Sequence, residues 1–472
     1  MNLNSLLEKI SGYVWCPAVI ALCFIVALMY CIVLRFPQIR FMKHMFSTLK
    51  GGTDSAQGMT AFQAFTMSLG TRIGVGALAG VATAIAYGGP GSIFWMWIYS
   101  VFGACSAFAE AVLGQLNRKK VNGEFRGGPS YYLKKCPGML KYLAFLSTAA
   151  GMIVYGFTGP STQSYNMASA INNAFGIPVL AMSFIIAIPF VAIVLGGMKR
   201  ASHTTEILMP FMSIAFFCMT LVILAISYKS IPAAFALIFG SAFSVRSAFG
   251  GLMGSAIVWG IKRNIYATEA GMGSGAYAAA AADVKHPVEQ GLTQAFSVYC
   301  STVVCTCTAL LILVTGKYNV IDGTGNVLYE GLPGAVPGIA YSQAAINTIT
   351  SGLDIGAWFM GIALFVFSFS VILAQGFFVQ NTISAVVPEK RVKLVQLIFI
   401  AIQVFGIFFG SNSNSEITWN FADVFNGIMT WSNLIGMLFL VKPVKNALTD
   451  YELQLKIGKE PVWDYDKESS NS

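Results

Sequence analysis

Apolar residues in this chain come in long unbroken blocks, not in the strict alternation of half-buried strands or the narrow stripe of a surface helix. A bilayer core about 30 Å thick asks for roughly 20 consecutive apolar residues in helical form. Such windows recur at 14–34, 59–87, 92–116, 142–172, 178–198, 204–228, 246–272, 287–315, 355–380, 393–411 and 419–441. The pattern predicts an all-α polytopic membrane protein with eleven transmembrane helices. The segment at 450–472 is polar enough to predict a surface helix followed by a loose end.

Two of these windows depart from the rest. The second has glycine at 70, 74, 76 and 80 and carries Arg72 among them; the seventh has Gly250, Gly251 and Gly254 in its first half. Glycine weakens a helix interior by roughly 1 kcal/mol relative to alanine. Unsatisfied backbone in hydrocarbon is costlier still, so an unwound turn persists only where it lines a protein cavity. With the first window set aside, the two glycine-broken windows open successive groups of five that start on opposite sides. That arrangement is a 5+5 inverted repeat with one extra N-terminal helix, as in a secondary transporter. It divides the chain into an extra helix and loop (1–58), a first repeat (59–228), a second repeat (229–441) and a tail (442–472).

Composition agrees and narrows the function. Of 472 residues 56% are hydrophobic and 10% charged, against about 25% charged in an average soluble domain. The net charge of +9 sits in loops and forms no basic stripe, which argues against a nucleic-acid partner. Nine cysteines without a CxxC pair read as packing thiols, and three histidines make a resident metal site improbable. Twenty-four of the 29 basic residues fall on one set of loops when Lys262 and Arg263 are counted among them. The positive-inside rule then places the amino terminus outside, the carboxyl terminus in the cytoplasm and the lipid bilayer between. No phosphate loop or dinucleotide fingerprint stands in the right context, so neither an enzyme nor an ATP-driven pump is expected.

Several ordered motifs carry a resemblance. GTRIGVGALAGVATAIAYGGPGSIFWMW (Gly70–Trp97), GGPSYYL (Gly127–Leu133), GIKRNIYATEAGMGS with HPVEQGL (Gly260–Leu292), VVCTCTALLILVTG (Val303–Gly316) and NGIMTWSNLIGML resemble the alanine or glycine:cation symporter family. The resemblance implies a leucine-transporter-type fold, and sodium-coupled uptake of a small neutral amino acid such as alanine or glycine across a prokaryotic inner membrane. It also implies no cofactor beyond the transported cation. The departures matter. Where the family signature runs G-T-G-N-I-A-G, this chain has Val75 and Ala77, so a hydroxyl and an amide are lost. The family's two threonines in the ninth span become Ser370 and Val371, and its tryptophan and glutamate further on become Gln375 and Gln380. Gln163 matches a family glutamine associated with the substrate pocket.

A zwitterionic amino acid needs both its charges met at midplane. Amides around Gly74, Gly76 and Gly80, with Ala77 beside them, are the expected partners of the carboxylate. Carbonyls of Ala248, Phe249 and Gly250 are expected to meet the ammonium, with Gln163 adding an amide and Phe369 limiting side-chain size. A hard cation prefers oxygen ligands, expected from the carbonyls of Ile73 and Gly76 and the Ser370 hydroxyl. Val371 removes one such ligand, which keeps proton coupling open beside sodium. Arg72 and Glu269 are expected to pair as an inner gate, while Glu110 and Asp423 read as packing or interfacial groups. A non-transporting amino-acid sensor is the alternative from another class, and oligomeric state stays open.

Overall fold

The computed structural model describes residues 3–51, 58–243, 253–348 and 354–465. The chain opens with a bent pair, α1 (Leu3–Val14) and α2 (Pro17–Val33), so the extra N-terminal element starts well before residue 14. The second window is broken into α3 (Ala61–Arg72) and α4 (Val81–Gly88), joined by an unwound stretch and a wide π turn at Gly76–Gly80. There follow α5 (Ser92–Leu116); α6 (Leu143–Ile153), running through a second wide turn into α7 (Gly159–Phe175); α8 (Val179–Val194); α9 (Gly197–Ile226); and α10 (Ile231–Phe243). The other broken window gives α11 (Met253–Thr268) and the short α12 (Gly275–Ala281). The remainder is α13 (Pro287–Thr315), α14 (Ile339–Asn347), α15 (Ile355–Ser384), α16 (Glu389–Asn412), α17 (Ser415–Met437) and α18 (Val441–Lys456).

By length and apolarity, six described helices can cross a membrane, or up to nine when each bent pair counts as one span. Val179–Val194 and Tyr228–Phe243 are shorter apolar helices. The strand content the sequence does not announce is two small hairpins in loops, β1 (Lys119–Val121) with β2 (Glu124–Arg126), and β3 (Asn319–Ile321) with β4 (Val327–Glu330).

Local chemistry sets the ends that matter. A reciprocal capping box starts α3: the Gln63 amide donates to the Thr60 hydroxyl, and the Thr60 amide donates to Oε1 of Gln63. Such a cap satisfies two otherwise orphaned N–H groups. The halves of the two broken helices then pack like with like, α3 against α12 and α4 against α11. Buried apolar residues from α3, α4, α9 and α13 fill the space around the first break. A second core joins α2, α5, α13 and α17.

Two expectations about charge and tail are corrected here. Lys262 and Arg263 are not loop residues; both lie within α11 and both pair with Asp423 of α17. They therefore carry no weight in the loop-charge count. The tail is not loose as far as residue 465. The Trp463 amide donates to the Lys285 carbonyl at 2.9 Å, and the Tyr465 hydroxyl donates to Gln115 Oε1 at 2.9 Å. The Trp463 ring also meets His286 edge-on, and burial pushes that imidazole down to about 4.

Candidate functional site

The first break is two residues long, Ile73 and Gly74. Arg72 ends α3, Ile73 leaves helical geometry at φ −100°, ψ 63°, and winding resumes before Gly76. Gly74 has no room for a side chain, because a Cβ there would collide with Val371 Cγ2 of α15 and lie 3.0 Å from Gln163 Oε1. The Val75 amide, freed by the interruption, donates to Gln163 Oε1 at 3.3 Å. Gln163 thus reaches from α7 to the break, and it is buried. Gly76, Ala77 and Gly80 lie in the wide turn, so their amides are wound and not splayed open as the sequence suggested.

Within the described residues, the seventh window is interrupted at its far end. This second break occupies the residues between Thr268 and Gly275, with Glu269 (φ 54°), Gly271 (φ 98°) and Gly273 (φ 84°) all left-handed. Gly254 is inside α11, while Ala248, Phe249 and Gly250 lie outside the described residues. The alternating G-M-G of Gly271–Gly273 is the signal that marks the turn, since repeated positive φ is what glycine permits.

The two breaks touch. A Cβ on Gly76 would lie 2.9 Å from Tyr266 Cδ1 and 3.0 Å from Ala267 Cα, at the end of α11. Thr71 Oγ1 donates to Glu269 Oε2 at 2.7 Å, and Ser274 Oγ donates to the same oxygen at 2.8 Å. Ser301 of α13 donates to the Ala267 carbonyl at 2.9 Å and approaches the Arg72 carbonyl at 3.4 Å.

Arg72 and Glu269 are brought into one buried region but form no direct ion pair. The Arg72 guanidinium instead donates to the Gln294 carbonyl and Oε1, both at 3.1 Å, and to the Ser297 hydroxyl. The inner-gate pairing is therefore replaced by separate anchors, hydroxyls for the acid and α13 for the base. Ser370 is buried against Gly70, one turn before the break, and its hydroxyl donates to the Val366 carbonyl at 3.0 Å. Phe369 does not cover the first break. It stacks on Phe365 and packs among Met167, Ile171 and Ile186. Helical geometry requires this, because residues two apart differ by about 200° around the axis, and Val371 is the one that faces Gly74.

Sequence reasoning missed two clusters of charge. Glu110 of α5 is fully buried, and its Oε1 accepts from Asn433 Nδ2 of α17 at 2.7 Å. Asn433 also donates to the Gly271 carbonyl at 2.9 Å and accepts from the Tyr132 hydroxyl at 2.6 Å, which ties α5 and α17 to the second break. The second cluster is Asp423 with Lys262 Nζ at 2.6 Å and Arg263 Nη1 at 3.1 Å. It lies at the base of a cavity of about 700 Å³ walled by α1, α4, α11, α17 and the β3–β4 turn. Arg263 lies over the Trp419 ring at 4.4 Å, and Trp419 meets Tyr266 at 5.2 Å. These side chains stand between the cavity and Gly76. At the rim, hydrogen bonds from the Thr324 hydroxyl and the Asn326 amide hold Asp322 down to about 2.

Two interrupted helices meeting in a buried centre, closed from an open vestibule by aromatic and ionic side chains, define the architecture of a secondary transporter. The chain matches the sodium:alanine symporter family over residues 1–465 and belongs to that family. It is accordingly a cation-coupled amino-acid symporter and not an enzyme. Among its relatives, the sodium/proton-dependent alanine carrier protein of Bacillus sp. (strain PS3) is 41% identical over 88% of this chain and 93% of its own length. The sodium/alanine symporter AgcS of Methanococcus maripaludis is 34% identical over 93% of this chain and 95% of its own. The fold is shared with MhsT, solved in complex with L-phenylalanine, at a TM-score of 0.56, 14% identity and coverage of 84% and 99% of the two chains. It is shared also with a Na+-coupled sialic acid symporter in a substrate-bound outward-open state, at 0.53, 12% identity and coverage of 94% and 99%.

Proposed function

We propose that this protein couples the entry of sodium to that of a small neutral amino acid, alanine or glycine in size, by alternating access. The observation that carries the reading is the junction of the two breaks, with Gly76 against Tyr266–Ala267 and Gln163 reaching the Val75 amide. On this reading the substrate carboxylate takes the amides at Gly74 and Val75 together with the Gln163 side chain. The cation takes the carbonyls of Ile73 and Gly76 with Ser370. Val371, pressed on Gly74, narrows the space and favours the smallest side chains. Arg72 and Glu269 brace the inner halves of the broken helices through hydroxyls and α13.

The full arrangement in this proposal has eleven spans in a 5+5 inverted repeat after one extra helix. The repeats are 59–228 and 229–441, with the amino terminus outside and the carboxyl terminus in the cytoplasm of a prokaryotic cell. Loop basic residues support that orientation even without Lys262 and Arg263. The sodium/alanine designation of AgcS supports the cation and the substrate. Proton participation is the second reading, favoured by the missing hydroxyl at Val371 and by the sodium/proton-dependent designation of the strain PS3 relative.

Counterflow of labelled alanine, glycine and serine into proteoliposomes tests this, with a sodium, potassium or pH gradient imposed in turn. Exchange of alanine or glycine stimulated by sodium is expected. No exchange of any of the three under all three gradients removes the proposal.

A further inference from the structure

Three ionisable side chains are sealed together beside the second break: Arg72, Glu269 and Glu110. They comprise one guanidinium and two carboxylates. A buried charge is tolerated only when paired or richly hydrogen-bonded, so one guanidinium balances one acid and leaves the other in excess. The hydrogen bonds decide which. Glu269 accepts on one oxygen from the Ser274 hydroxyl and from the Thr71 hydroxyl, which it shares with the Ser68 carbonyl, as suits an anion. Glu110 accepts a neutral amide bond on Oε1 from Asn433 and faces the backbone amides of Gly271 and Gly273, while its Oε2 has no hydrogen-bond partner among the described residues and no cation reaches it directly.

We propose that Glu110 is a proton-binding site of the transport cycle, protonated on Oε2 while the breaks are sealed and deprotonated when water reaches the second break. This rests on the symport reading above and adds to it a second coupling ion with a named carrier. Protonation forms one O–H bond and cancels the excess charge; release returns the proton to water on the side then open. Asn433 supplies the link to motion, because the same amide group holds Glu110 Oε1 and the Gly271 carbonyl. A shift of that backbone alters what Glu110 faces.

The charged and titratable groups around Glu110 are Arg72 from α3, Glu269 from the break, Tyr30 from α2 and Tyr99 from α5 itself. Tyr132, from the turn at Pro129–Tyr132, and Tyr155, from the turn at Val154–Thr158, are the others among the described residues. Arg72 is the one cation among them.

The test uses the full chain in proteoliposomes loaded with a pH-sensitive dye, with equal sodium on both sides and alanine added outside. In the wild type, alanine entry acidifies the lumen. In Glu110→Gln, a mimic of the protonated acid, the ratio of protons to alanine moved falls to zero. In Glu110→Asp, proton movement persists with a shifted pH midpoint. The inference is overturned if Glu110→Gln acidifies the lumen in wild-type proportion, or if wild-type exchange of alanine moves no protons. Should Glu110→Gln fail to assemble, an unshifted pH midpoint in Glu110→Asp overturns it equally. Absence of alanine exchange in the wild type would instead remove the symport reading itself, so the two failures are distinguishable.

Discussion

The interruption after α3 spans two residues and is lined by Val75, Ala77 and Val371, with the Gln163 amide as its polar partner. The interruption after α11 is three times as long, holds three residues in left-handed geometry, and gathers Glu269, Ser274, Asn433, Glu110 and Arg72 around it. One break is kept open by steric exclusion and a single amide, the other by a web of side-chain hydrogen bonds. A bilayer interior penalises any unsatisfied backbone group by several kcal/mol. The first break limits that penalty by being short. The second meets it with partners, and so it can be long. Two halves of similar architecture therefore need not share chemistry: a compact backbone cradle suits a substrate, and a charged hinge suits a coupled ion.

The comparison breaks most sharply at Gly273. Gly273→Ala forces a side chain into a left-handed position, costing about 1–2 kcal/mol, and drives a Cβ into Pro129. Overpacking adds about 1–3 kcal/mol. Transport in proteoliposomes should be lost and the melting temperature lowered; near-normal uptake would mean that the second break does not need its geometry. Thr71→Val, which keeps shape and removes one hydroxyl from Glu269, should cost about 1.5–3 kcal/mol. A thermal-unfolding series in detergent measures it, and no loss of stability would show Glu269 to be held by Ser274 alone.

At the first break the expected effects are smaller and fall on binding. Gln163→Ala should weaken alanine binding about tenfold, the equivalent of 1.4 kcal/mol, with normal expression. Scintillation proximity binding reads it, and unchanged affinity would reject the pocket assignment. Smallest of all, Val371→Thr is nearly isosteric and returns one oxygen beside Gly74. It should raise apparent sodium affinity by about two- to fivefold, within one net hydrogen bond. An unaltered sodium dependence would place residue 371 outside the cation site.

Much of this was legible in the residues before any coordinates. Apolar blocks announced helices, glycines at 74 and 76 announced the first break, and an ordered series of motifs announced the family. Gly250 and Gly251 lie outside the described residues, and the interruption between Thr268 and Gly275 went unread because glycine count does not report backbone sign. The Arg72–Glu269 pairing was a guess from two charges near two breaks. Burial beside Gln294 and Ser297 gives the guanidinium acceptors that no linear spacing could reveal. Glu110 was passed over for the same reason, since its partners lie more than 150 positions away in sequence. Lys262 and Arg263 fall inside the window 246–272, and only their charge suggested a loop; Asp423, across the helix interface, is what lets them stay within it.

The opening helix α1 contributes Asn4, Glu8 and Ser11 to the wall of the vestibule, and Trp15, just past its end, joins them with an indole that donates to the Asp423 carbonyl at 2.8 Å. The chain's start is therefore part of the entrance and not merely an anchor. An affinity handle fused ahead of residue 3 would hang over that doorway, and a truncation at the Pro17 bend would strip away one of its jambs.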